Sequence, residues 1–210
     1  MMNLLTNILF PKKCLGCSRE GSFVCQVCFD KIPASSQEFS LNPLNKIIIA
    51  SDYNNPLLKN IIWKYKYNFI KELSSPLSDL MIRELKYINL KNLILIPVPL
   101  HRSRLKWRGF NQSELLALKI SEALDIPVNI NIIEKIKNTT PQVKISNKFH
   151  REDNIQNAFQ VNQVINNNFK NKTIILVDDI CTTGNTLQEC AKTLKPLGPK
   201  SIWGLVVARG

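Results

Sequence analysis

The run KTIILV at residues 172–177 is apolar on both of its faces, and two aspartates follow it directly. A strand with one face in water would alternate, so a continuous run must be covered above and below. Three further runs share this character: KIIIASDY at 46–53, NLILIPVP at 92–99 and SIWGLVVA at 201–208. Stretches of helical period lie between them. This alternation predicts an α/β chain, a parallel sheet flanked by helices.

The helices announce themselves by stripe and cap. In PLLKNIIWKYKY, Pro56 suits a first helical turn and Leu57, Leu58, Ile61, Ile62 and Tyr65 share one stripe. Trp63, Tyr65 and Tyr67 are assigned to the packing of that helix. Ser75 and Pro76 open a helix over 75–86, and Asn111, with Glu114 three residues on, opens another over 111–124. A last helix is expected over 184–195. Residues 128–136 and 158–161 read as strands and 33–45 as a polar connector. Residues 137–153 have no period; a loop that long inside a compact domain is usually functional. The 210 residues suit one core domain with a small appendage, divided here as 1–45 and 46–210.

The appendage carries CLGCSREGSFVCQVC, in which Cys14, Cys17, Cys25 and Cys28 form two C-x2-C pairs. Four thiolates presented as two knuckles hold tetrahedral zinc in structural sites, and four protein ligands leave no position open for catalysis. Lys12, Lys13 and Arg19 stand nearby and offset the charge of a tetrathiolate. Disulfides are the competing reading; MMNLLTNILF lacks a basic leader and a cleavage site, which disfavours secretion and points to a short packed helix and a cytoplasmic location. No apolar run approaches the roughly 18 residues of a membrane span. Cys181 and Cys190 are isolated and read as small apolar core residues.

The segment ILVDDICTTGNT (175–186) sits where a strand gives way to a helix, the position at which open α/β sheets bind ligands. Backbone N–H groups from Thr182 to Thr186 suit phosphate, Gly184 allows close approach, and Thr182, Thr183 and Thr186 add hydroxyl donors. No Gly-Lys-Ser/Thr follows, so this is not a Walker A loop. Carboxylates repel phosphate, so Asp178 and Asp179 must address another part of the ligand. A sugar diol donates the two hydrogen bonds they can accept. A phosphorylated ribose with a diphosphate at its anomeric carbon, bridged by Mg²⁺, meets every requirement.

IILVDDICTTGNT resembles the phosphoribosyl-pyrophosphate (PRPP) motif of type I phosphoribosyltransferases. IPVPLHRSRLKWRGFNQSELLA (96–117), the spread pattern TTPQ…R…N…AF over 139–159, and the cysteine pairs are similar to signatures of the ComF family. The blocks occur in that family's order and cover nearly the whole chain. The resemblance implies a type I phosphoribosyltransferase fold with a small N-terminal zinc ribbon. It further implies that Asp178 and Asp179 contact ribose hydroxyls, and that the loop of Cys181, Thr182, Thr183, Gly184, Asn185 and Thr186 takes the 5′-phosphate. Val98, Pro99, Leu100, His101 and Arg102 would form the pyrophosphate loop. Arg104, Arg108, Gln142 and Arg151 would belong to a hood or contact nucleic acid.

Two kinds of function follow. One is a protein that binds PRPP and handles incoming single-stranded DNA during natural transformation, with a DNA-uptake helicase as a candidate partner and no membrane insertion. The other is an active Mg²⁺-dependent phosphoribosyltransferase that places a nitrogen nucleophile on PRPP. No recognisable pocket for a base, and no fused amidotransferase domain, supports the second. Net charge is +12, but 21 of 28 bases are Lys in an Asn-rich chain, so the total is partly compositional. Its distribution says more: HRSRLKWR holds four bases in eight positions, three of them Arg, and Trp107 stands among them as a candidate stacking ring.

Overall fold

A computed structural model describes residues 11–139, 155–162 and 169–210. Its centre is a five-stranded sheet in the order β1-β2-β7-β6-β3. The strands are β1 (Ala34–Leu41), β2 (Leu44–Asp52), β3 (Leu93–Pro97), β6 (Thr173–Cys181) and β7 (Ser201–Arg209). β2, β7, β6 and β3 run parallel, and β1 turns back antiparallel on β2. The sheet is therefore mixed and mostly parallel. A separate antiparallel pair joins β4 (Ile133–Lys135) to β5 (Phe159–Val161).

Each central run is buried on both faces, as its composition requires. Ile175 and Val177 enter one core with Ile48, Ala50 and Leu205, while Ile174 and Leu176 enter the other with Ile47 and Ile49. The first core is covered by α2 (Pro56–Tyr67), α3 (Ser74–Leu85) and α5 (Gln112–Leu124), through Leu58, Ile61, Ile62, Leu77, Met81 and Leu116 among others. Burying each such side chain is worth about 1.5–3 kcal/mol. The second core is covered by α6 (Asn185–Leu194) and the β4–β5 pair.

Caps fix where the helices begin. The Asn55 side chain accepts the Leu58 N–H with Pro56 in the first turn, and Asn111 accepts from Ser113. Asn111 also donates to the Val98 carbonyl at 3.1 Å, tying the start of α5 to the end of β3. The helix expected from Ser75 begins at Ser74, preceded by a 3-10 turn over Lys71–Leu73.

Four expectations change. Residues 34–41, read as connector, form edge strand β1; an edge needs no apolar run, so its polarity hid it. The strand expected over 128–136 contracts to Ile133–Lys135, with one bridge from Val128 to Leu95. The loop HRSRLKWR contains a helix, α4 (Arg102–Arg108), which buries no residue and so carries no stripe. Trp63 and Tyr67 are exposed rather than core, since the period that buries Ile61, Ile62 and Tyr65 turns them outward. The expected helix in residues 1–10, and most of the 137–153 excursion, lie outside the described residues. A short four-residue helix, α1 (Gln26–Phe29), completes the cysteine module.

Candidate functional site

The carboxyl ends of β3 and β6 lie side by side, with Pro97 opposite Val177 and the Val98 N–H donating to the Val177 carbonyl at 2.9 Å. The segments 98–102 and 178–186 are therefore neighbours, as a ligand spanning both requires. The Val98 N–H is consumed in that contact and supplies no donor to a diphosphate.

Asp178 and Asp179 are still within β6 rather than in the loop after it. Asp178 Oδ1 accepts from Ser113 Oγ and from the Asp179 N–H, both at 2.9 Å. Asp179 Oδ1 accepts the Ile180 N–H at 2.6 Å and pairs with Lys66 Nζ at 2.9 Å. Burial and the adjacent Asp179 carboxylate push the Asp178 carboxyl up to about 7, with Lys66 pulling the other way. Burial works against the Lys66 ammonium, but Asp179 outweighs it and Lys66 holds its proton more tightly than usual. Two neighbouring carboxylates want donors, which is what a diol offers.

The loop beyond them, from Thr182 to Gly184, leads into the N-terminus of α6. Gly184 caps α6 at φ +87°, and no side chain caps the helix N-terminus there. Thr183 Oγ1 and Asn185 Nδ2 are buried without a partner. A pocket at this loop is lined by Asp178, Cys181, Thr182, Gly184, Asn185 and Thr186. The β1–β2 hairpin leans on it: a Cβ at position 184 would collide with Leu41 Cδ2, and Gln188 donates to the Asn42 carbonyl at 2.8 Å. Cys181 is buried in the second core, and burial raises its thiol to about 11, so it lines the loop as an apolar wall.

The basic segment divides by side chain. His101 Nδ1 accepts the Ser103 N–H at 3.2 Å, capping α4. Arg102 is largely exposed and meets Glu134 at 3.4 Å. Arg104 donates to the Thr139 carbonyl and Arg108 to Gln112 Oε1 at 2.6 Å, while Arg108 Nε is buried without a partner. Burial lowers the Arg108 pKa, and the nearby Asp179 supports its charge. Gln142 and Arg151 lie outside the described residues. Lys66, Ser113 and Lys135 were absent from the sequence reading. Lys66 hides within a helix stripe and Ser113 within a cap. Lys135, lowered to about 8 by burial and by Arg104, sits in a strand with no motif of its own.

At the other end of the chain, the four sulfurs of Cys14, Cys17, Cys25 and Cys28 lie within 4.8 Å of one another. Cys25 Sγ is 3.6 Å from the sulfurs of both Cys14 and Cys17. Tetrahedral zinc with Zn–S bonds of about 2.3 Å would set its sulfurs about 3.8 Å apart, so the donor set fits. Burial opposes ionisation of Cys14, but N–H groups of Cys25, Gly16 and Cys17 outweigh it and bring the thiol to about 6. Burial and the other three cysteines push Cys28 up to about 12. Four thiolates cannot share this space without a cation. A Cβ on Gly16 would meet Cys28 Sγ at 2.8 Å, so the knuckle requires glycine. The cluster could hold a metal ion.

Among the described residues, no helix is long and apolar enough to cross a membrane. The phosphoribosyl transferase domain profile matches residues 111–210, from the start of α5 through β7. Competence protein F of Haemophilus influenzae is 36% identical over 202 residues, covering 93% of this chain and 84% of that protein. DNA utilization protein YhgH of Escherichia coli K12 is 28% identical over 183 residues, covering 85% and 74%. Competence protein ComFC of Bacillus subtilis is 32% identical over 145 residues, covering 69% and 56%.

Proposed function

The chain belongs to the ComF family of proteins with a type I phosphoribosyltransferase fold, and from that membership we propose that it binds PRPP at the β6–α6 loop and handles single-stranded DNA during DNA uptake. One observation carries the ligand reading: two crowded carboxylates stand beside a donor loop whose Thr183 Oγ1 and Asn185 Nδ2 are buried and unpaired. A buried unpaired polar group is costly, and a ligand that supplies the missing partners recovers it.

In this reading Asp178 and Asp179 accept from the ribose hydroxyls, and the loop from Cys181 to Thr186 takes the 5′-phosphate. The 98–102 segment faces the diphosphate, through Pro99, Leu100, His101 and Arg102 rather than the Val98 N–H. Arg104 and Arg108 border the site and, with Gln142 and Arg151, take the hood or nucleic-acid contact. Mg²⁺ would arrive on the diphosphate oxygens and offset their charge. Zinc at the cysteine cluster would hold the N-terminal module in place. The names of the H. influenzae and E. coli relatives, competence and DNA utilization, support the DNA role.

The test is a titration of wild type and an Asp178→Asn/Asp179→Asn variant with PRPP plus Mg²⁺ and, separately, with single-stranded DNA. PRPP should bind wild type and not the variant, and DNA affinity should fall steeply with salt. Wild type that ignores PRPP would remove the ligand assignment. Release of pyrophosphate on adding a nucleobase or ammonia would move the protein to the transferase reading.

A further inference from the structure

Three aromatic rings stand in solvent, and neither the fold nor the PRPP site accounts for them. Trp63 is 54% exposed, Tyr67 47% and Trp107 65%. Trp63 and Tyr67 lie one turn apart on α2 with ring centroids 5.8 Å apart. Trp107 comes from α4 and meets the edge of Phe69, just beyond α2, at 4.9 Å. Phe69 thus joins the two helices, and Trp107 stands against the segment that continues from Trp63 and Tyr67.

The surroundings are cationic. Residues 56–71 and 98–113 each contain four bases and no acid. Lys66, Arg104 and Arg108 all lie within electrostatic reach of Tyr67. Lys66, next to Tyr67 in sequence, pairs with Asp179 at 2.9 Å, so this surface begins at the edge of the ribose site.

Exposed rings interleaved with cations complement a strand that offers flat bases and a phosphate backbone. A duplex hides the faces of its bases, so the fit is to a single strand. We propose that Trp63, Tyr67 and Trp107 form a stacking shelf for single-stranded nucleic acid, leading away from the acid pair, with Arg104 and Arg108 along its phosphates. The shelf rests on the DNA-handling reading above and gives it a location: the α2 and α4 surfaces.

The experiment uses the full chain, with fluorescence anisotropy of a labelled oligothymidylate of about 20 nucleotides and a matched oligomer bearing a central abasic tract. Trp63→Ala and Trp107→Ala remove exposed rings, and Trp63→Phe and Trp107→Phe keep an aromatic face. Each alanine variant should lose about tenfold in affinity for the oligothymidylate, equivalent to about 1.4 kcal/mol. Affinity for the abasic oligomer should change by no more than about twofold, and the phenylalanine variants should recover most of the loss. Unchanged oligothymidylate binding in both alanine variants would overturn the shelf and assign the rings to another partner, such as a protein. Equal losses for both oligomers would also overturn it, because the rings would then be acting through structure rather than stacking. Wild type that binds neither oligomer would instead overturn the DNA-handling reading, and the shelf with it.

Discussion

Lys66 Nζ stands 2.9 Å from Asp179 Oδ1, with the lysine side chain 22% exposed and the aspartate 9%. The pair joins helix α2 to the last residues of β6, so an element from early in the chain presets the charge around the two aspartates. Among the described residues Asp178 forms no ion pair; it accepts from Ser113 and the Asp179 N–H.

Removing the lysine leaves Asp179 shielded from water without its partner. Lys66→Met is expected to lower the unfolding free energy by about 3 kcal/mol near pH 8, read by urea denaturation. The loss should shrink toward pH 5, where Asp178, raised to about 7, is protonated and no longer repels Asp179. Asp179→Asn in the Lys66→Met background should recover most of it, and the double-mutant cycle gives the coupling.

Asp178 predicts a pH signature. Burial and the neighbouring Asp179 carboxylate push its carboxyl up to about 7, well above the usual carboxylate range, so the folded state binds the proton more tightly. The chain therefore loses stability as pH rises from roughly 4 to 7, and the loss is complete above that window. Asp178→Asn cannot ionise and should be more stable than wild type by a margin that grows across that window and then levels. Thermal unfolding of both proteins at pH 4 to 8 measures it. The same variant should bind PRPP at least tenfold more weakly, so stability and ligand binding move in opposite directions.

Gly184→Ala meets two obstacles, a φ of +87° and the Leu41 side chain, which the new Cβ would strike. A non-glycine residue forced into sparsely populated backbone costs about 1–3 kcal/mol. The variant should lose that much stability and lose PRPP affinity by calorimetry. Leu41→Ala should return part of the stability, since it relieves the clash, and leave the backbone strain.

The cysteine cluster predicts one zinc per chain by elemental analysis, lost in Cys25→Ser. Chelation should open residues 11–33 to limited proteolysis before the sheet unfolds, because metal binding is coupled to the folding of such modules. Gly16→Ala should weaken zinc retention without removing a ligand, since its Cβ falls 2.8 Å from Cys28 Sγ.

Much of the architecture was legible because burial leaves a pattern. Ile174 to Val177 had to be covered on both faces, and Asn55 and Asn111 marked their helix starts as caps. The elements that escaped were those with little buried surface. Edge strand β1 is polar, and α4 buries nothing. Trp63 and Tyr67 were assigned inward because an aromatic beside an apolar stripe usually packs; the helix phase placed them outside.

The sequence by itself determined the chemistry available: four cysteines in two knuckles, two acids followed by a threonine-rich loop, and a cluster of arginines. Short spacing sufficed, because those residues meet within one turn or one knuckle. Only the tertiary structure decided which partners come from afar. Lys66 reaches Asp179, Ser113 reaches Asp178, and Leu41 closes against Gly184, each across a large separation in sequence. It likewise decided that Trp107 meets Phe69, just beyond the helix that carries Trp63 and Tyr67. Such pairings depend on how helices settle on the two faces of the sheet, which is a property of the packed core and of no local stretch of chain.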